Sequence, residues 1–278
     1  MNDLTAIDYR APGSDQQFVS SLRATGFGVL KNHPLDMDLI GSIYDHWMSF
    51  FLSDDAKNFA VDRKAQGGFF SIANAESAKG HAEQDIKEYF HFYPWGRCPA
   101  DLREELIYYY EAAHEFAATL LSWIEQYSPA DVASGYREPL SNMIVGSDVT
   151  LLRILHYPPI SGDEGAMRAA PHEDINLITI LPMSSASGLE VLGTSGDWIP
   201  VPAGFDNVVI NIGDMLQEAS GGYFPSTSHR VVNPEGEDMD ESRMSLPLFL
   251  HPRPDVVLSD RYTAASYLNE RLNELGVI

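Results

Sequence analysis

From about Val149 the chain breaks into short runs rich in apolar and β-branched residues, each bounded by Gly, Pro, Ser or Asp: TLLRILHY, INLITILP, LEVLG, WIPVP, NVVINIG, HRVVNP and SLPLFLHP. Runs this short cannot bury a face alone, so they must close on one another as a sandwich or barrel. We expect a mainly β core within an α+β protein, arranged as a distorted double-stranded β-helix, or jelly roll, flanked by helices.

The first half carries a different pattern. A strand is expected near Gly26 to Asn32 and an apolar-periodic helix near Asp36 to Phe51. A longer helix is expected from about Asp101 to Tyr127, where Leu106, Tyr109, Ala113, Phe116, Leu120 and Trp123 recur at helical spacing before Pro129. Ala264 to Leu275 has the periodicity of a final amphipathic helix. No Ser/Gly-rich or charged linker separates the halves. We therefore expect 1–278 to form a single unit, with 1–148 a scaffold, 149–252 the jelly-roll core and 253–278 a closing helix.

Composition narrows the chemistry. With 44% hydrophobic residues a well-buried core is affordable in size, and 40 acidic against 18 basic residues give a formal charge of -22. That charge repels phosphate backbones and anionic lipid, so neither nucleic acid nor a membrane surface is an expected partner. The start lacks a basic, apolar leader and no apolar run is long enough to cross a bilayer, which points to a cytoplasmic protein. Cys98 is the only cysteine, so a metal would have to be held by His, Asp or Glu. A zinc-hydrolase helix fails at His114-Glu115, because Ala118 stands where the second histidine is needed.

The strongest local signal is Ala170-Pro171-His172-Glu173-Asp174 leading into an apolar strand. On a strand, residues i and i+2 share a face, so His172 and Asp174 can converge on one metal while Glu173 points away. His229 opens another strand-like run after the turn-rich Ala219-Ser220-Gly221-Gly222, and a jelly roll can bring it to the same place. Two imidazoles and one carboxylate, with coordination positions left open, suit a non-haem iron(II) oxygenase. Further on, Arg243 and Ser245 share a strand face. A planar guanidinium with a hydroxyl beside it suits an organic carboxylate, although an internal salt bridge would explain the same arginine.

In order and spacing, His172-x-Asp174, His229 and Arg243-x-Ser245 resemble the 2-oxoglutarate-dependent iron(II) oxygenases, and more narrowly their isopenicillin N synthase-like branch. The likeness extends to Gly26-Phe27-Gly28-Val29-Leu30-Lys31-Asn32-His33, Lys87-Glu88-Tyr89-Phe90, Tyr157-Pro158-Pro159, Gly188-Leu189-Glu190-Val191, Trp198-Ile199-Pro200-Val201-Pro202, Asn211-Ile212-Gly213-Asp214 and Ser226-Thr227-Ser228-His229. The resemblance implies Fe(II) on His172, Asp174 and His229. It implies 2-oxoglutarate on Arg243 and Ser245 with a hydroxyl contact from Tyr157, and O2 as the other cosubstrate. The implied reaction oxidises a small organic substrate, by default through hydroxylation, with release of succinate and CO2. Leu155 stands where many relatives have Asn, and Asn176 where Gly is common. Two other readings stay open: an isopenicillin N synthase-like or aminocyclopropane-carboxylate-oxidase-like oxidase working without 2-oxoglutarate, and a non-catalytic metal-binding jelly-roll sensor.

Overall fold

The computed structural model describes residues 4–62, 65–72, 86–159, 168–182, 188–202, 204–233 and 241–274. The chain begins with β1 (Ala6–Asp8), α1 (Ser14–Thr25), β2 (Phe27–Lys31) and α2 (Met37–Phe51). Asp36 caps α2, its carboxylate accepting from the backbone N–H groups of Asp38 and Leu39 that the first turn leaves without partners. Between α1 and β2 the chain turns at Gly26, with φ at 74°. A Cβ there would lie 2.4 Å from Thr227 Oγ1, so only glycine lets the segment before His229 pack this closely.

Next come β3 (Gly68–Phe70), β4 (Glu88–Phe92), α3 (Arg103–Gln126) and the short α4 (Ala130–Ala133). All the positions expected to form the apolar stripe of α3 are buried except Trp123, which is partly covered and stacks on Tyr9 at 5.2 Å. His114 on the same helix lies 3.1 Å from the Ile144 carbonyl, a structural contact. Cys98 is partly buried and its thiol is pushed up to about 12 by burial, which removes it as a nucleophile.

The remaining elements are β5 (Leu151–Tyr157), β6 (Ala169–His172), β7 (Ile178–Pro182), β8 (Leu189–Leu192), β9 (Trp198–Pro200), β10 (Asn207–Ile212), α5 (Asp214–Ala219), β11 (His229–Val231), β12 (Arg243–Ser245), β13 (Leu248–Leu250) and α6 (Ala264–Glu274). The run SLPLFLHP, expected as one strand, is two. Leu246 and Pro247 interrupt it: Pro247 has no N–H for the ladder, and its carbonyl instead accepts from Arg153 N at 3.0 Å. The end of the expected tail helix, Leu275, and Pro234 of HRVVNP lie outside the described residues.

Two sheets face each other, as a double-stranded β-helix requires. The larger runs β1-β2-β10-β7-β13-β5-β4-β3, with β12 also paired to β5, and the smaller runs β6-β11-β8-β9. The first-half strands are therefore built into the same sheet as the second-half ones. Side-chain alternation gives the large sheet two unlike faces. Leu30, Phe90, Phe92, Leu152, Ile154, Ile180, Ile210 and Leu248 pack with α1, α2 and α3 in one large apolar core, in which Trp47 is fully buried. The opposite, inner face meets the small sheet around Phe27, Val29, Val209, Leu189, Val191 and Val231, and carries a separate patch of Phe70, Tyr89, Leu155 and Tyr157. No described helix is long and apolar enough to cross a membrane.

Candidate metal centre and carboxylate pocket

His172 ends β6 and is the register partner of His229, the first residue of β11. Their rings lie 4.3 Å apart, centroid to centroid. Asp174 is not on the strand with His172, as the i, i+2 argument expected. β6 stops at His172, and Asp174 stands in the bend that leads to β7. The bend nonetheless returns its carboxylate to the two imidazoles, while Glu173 is exposed. One donor atom from each of His172, Asp174 and His229 lies within 4.8 Å of the others, and Asp174 Oδ1 is 4.0 Å from His229 Nε2.

Hydrogen bonds aim these donors. Asn211 Nδ2 donates to Asp174 Oδ2 at 2.7 Å and Thr179 Oγ1 donates to the same oxygen, leaving Oδ1 turned toward the histidines. Asn176 in turn donates to Thr179 Oγ1 at 3.0 Å and to the Ile178 carbonyl at 2.9 Å. The departure at Asn176 thus has a local use. Gly213 is packed against it so closely that a Cβ would lie 2.2 Å from its carbonyl oxygen. Each histidine places Nδ1 on a carbonyl, His172 on Ala170 at 2.8 Å and His229 on Thr227 at 3.3 Å. A carbonyl can only accept, so Nδ1 carries the proton and Nε2 presents its lone pair. Phe27 holds the His229 ring edge-on at 5.4 Å.

The electrostatics suit a cation. Burial, reinforced by the neighbouring His229, pushes the His172 imidazole down to about 3, so it is neutral at pH 7 although one side of the residue meets solvent. Burial alone would raise the Asp174 carboxyl. The two imidazoles and the bonds from Asn211 and Thr179 outweigh it and hold the group below the usual carboxylate range. Two imidazoles anchored through Nδ1 and one oriented carboxylate are a donor set that fits a divalent iron.

The carboxylate-pocket residues come together on the inner face. Arg243 and Ser245 on β12 are register partners of Tyr157 and Leu155 on β5, and all four are buried. The Arg243 Cζ is 5.8 Å from the Tyr157 ring, and a second buried arginine, Arg168, lies 6.0 Å from the same ring. Burial lowers the Arg243 pKa, an effect that Tyr157 and Tyr44 oppose, and a guanidinium remains charged at neutral pH. Leu155 joins Phe70 and Tyr89 in the apolar lining.

Sequence reasoning left out Thr179, Arg153 and Arg168. Thr179 and Arg153 were accessible to it by strand alternation, since Arg153 shares a face with Tyr157 and Thr179 is the register partner of Asn211. Nothing in the pattern marked Arg168.

Comparison with known proteins agrees with this geometry. The 2OG-Fe(II) oxygenase superfamily model matches residues 149–252. A proline hydroxylase from Petromyces alliaceus is 30% identical, over 91% of this chain and 87% of its own. A solved structure of a candidate oxygenase from Shewanella oneidensis is 57% identical, covers 99% of this chain and 100% of its own, and superposes with a TM-score of 0.91. A Neurospora crassa protein solved in complex with alpha-KG (2-oxoglutarate) shares the fold at a TM-score of 0.79, with 22% identity over 97% of this chain and 95% of its own. With this likeness spanning both the scaffold strands and the β-helix, the chain belongs to the 2OG-Fe(II) oxygenase superfamily, whose members are oxidoreductases that use iron(II), 2-oxoglutarate and O2.

Proposed function

We propose that His172, Asp174 and His229 hold the iron(II), and that Arg243 and Ser245, with the Tyr157 hydroxyl, hold the distal carboxylate of 2-oxoglutarate while a small organic substrate is oxidised. The observation that carries this reading is the convergence of the three donors within 4.8 Å, with Asp174 Oδ2 already engaged and Oδ1 free to bind. Iron(II), once bound, supplies the O2 activation that no side chain can provide.

The protein's own residues do the positioning. Asn211 and Thr179 fix the Asp174 carboxylate through Oδ2, so that Oδ1 is the atom that would hold the iron. The Arg243 guanidinium neutralises and orients the cosubstrate in a pocket where its charge is poorly solvated and therefore acts strongly. Leu155, Phe70 and Tyr89 keep water from that pocket. The test is anaerobic titration of the apo-protein with iron(II) and then 2-oxoglutarate. A visible charge-transfer band is expected with both present and not with either alone, and its absence would refute the assignment of the pocket.

The same reading takes 1–278 as one working unit in which 1–148 supports the 149–252 core and 253–278 is the closing helical segment. It takes the protein as cytoplasmic and acting on free small molecules, a net charge of -22 disfavouring nucleic acid and anionic membranes as partners.

A further inference from the structure

Other half-buried arginines of this chain meet a carboxylate, as Arg230 does with Glu190 and Arg253 with Glu138. Arg153 does not. It is half-buried on the inner face of β5, in a chain with 40 acidic residues, and among the described residues it forms no ion pair. Its Nε donates to His91 Nε2 at 2.8 Å, and His91 Nδ1 lies 2.8 Å from the Gln66 carbonyl. Burial, and then the charge of Arg153 itself, hold the His91 pKa well below its usual value, so the imidazole is neutral and no described carboxylate compensates the guanidinium charge. The Cζ lies 4.7 Å from the Tyr89 ring and 5.3 Å from the Phe249 ring, with Phe70 stacked on Tyr89 at 4.6 Å. These contacts immobilise the side chain through Nε and its flat faces. Among the described residues no hydrogen bond uses Nη1 or Nη2.

The position of this arginine relative to the metal residues is set by register. Phe249, which flanks it, is the partner of Thr179, and Thr179 donates to Asp174. His251, two residues beyond Phe249, feels both Asp174 and Arg153. A cationic fork walled by aromatic rings therefore stands on the same face as the metal site, separated from it by Phe249.

We propose that Arg153 is the recognition group for the primary substrate, and that this substrate is a small monocarboxylic acid. Its carboxylate would bridge Nη1 and Nη2 while its carbon skeleton lies along Phe249 toward Asp174. A planar fork with two parallel N–H donors matches a carboxylate. A phosphate would call for further cations or N–H donors, and the walls here are aromatic. The acidic exterior does not forbid an anion, because charges beyond about 8 Å are screened at physiological salt and the fork acts at contact distance. The inference rests on the metal and Arg243 assignments above.

The experiment is equilibrium dialysis of phenylacetate and hexanoate, each against its amide, on the full chain loaded anaerobically with iron(II) and saturating 2-oxoglutarate. At least one acid is expected to bind at least about tenfold more tightly than its amide, the scale of a charge-assisted hydrogen-bond pair. R153Q should weaken that acid about tenfold or more while leaving the amide unchanged, R153K should fall between, and the surface control R261Q should match wild type. Retained amide binding shows that R153Q is folded. Equal binding of acid and amide, no binding of either acid, or unchanged acid binding in R153Q would overturn the proposal. So would acid binding lost in R243Q but kept in R153Q, which would put the substrate carboxylate on Arg243. Absence of the 2-oxoglutarate band in wild type would instead refute the metal and cosubstrate reading, so the two failures are distinguishable.

Discussion

The two faces of β5 are seven residues of one strand put to opposite uses. Leu152 and Ile154 point into the helix-covered core, and His156 beyond them is tied to Glu88 at 2.8 Å and stacked on Phe51. Arg153, Leu155 and Tyr157 point the other way, toward the small sheet and the metal residues. The first face is closely packed and mainly apolar, and the second carries two arginine sites, Arg153 bonded to His91 and Arg243 beside Tyr157. Stability is thus concentrated where the helices pack, and binding where the sheets oppose each other. A buried charge is costly, and on the reading proposed above a ligand's carboxylate compensates it on the inner face.

Substitutions can break this division, and the largest effect is expected at the metal. Asp174→Ala should abolish iron retention, measured as iron per chain after gel filtration, because no other described acid completes the cluster. Stoichiometric iron in that variant would remove Asp174 from the ligand set. Next, Asn211→Ala should weaken iron(II) binding about tenfold or more, the usual cost of losing a group that orients a ligand, with little loss of thermal stability. An equal drop in both would show that the inner face also carries stability.

On the outer face the outcome should reverse. Ile154→Ala should lower unfolding free energy by about 2–4 kcal/mol in urea titrations while iron affinity stays the same, since the cavity opens among helices rather than beside the metal. The smallest and most graded effect is that of pH on the apo-protein. His172 is held near 3 and His251 near 4, both chiefly by burial, against about 6.5 for an ordinary imidazole. The unfolded chain therefore binds protons that the folded one refuses. Their stability contribution is complete above about 6.5 and is lost as pH falls toward 4. Melting temperature should decline steadily across that window, and a flat profile would mean that these imidazoles are not buried neutral.

Much of this organisation was legible in one sequence. The short strands, the α3 stripe and the triad with Arg243 and Ser245 depend on local pattern: period-2 or period-3.6 burial, and residue types whose chemistry is narrow. Asn211, within the Asn211-Ile212-Gly213-Asp214 stretch that carries part of the family likeness, supports Asp174. Other features were not local. The strand-face argument for Asp174 failed because β6 ends one residue after Pro171, and what returns the carboxylate to the histidines is a bend braced by Asn176, Thr179 and Gly213. SLPLFLHP read as continuous because its hydrophobicity is continuous, although its hydrogen bonding is not.

The sequence by itself determined the chemistry on offer: a single cysteine, two imidazoles and a carboxylate for a metal, an arginine and serine for a carboxylate, and strands with one polar face. Tertiary structure alone decided which groups meet. His172 and His229 become neighbours through a pairing between strands 57 positions apart in number, and Arg153 meets Phe249 through the β5–β13 ladder. Such encounters depend on register across sheets, which is set by the summed packing of both faces and not by any one segment.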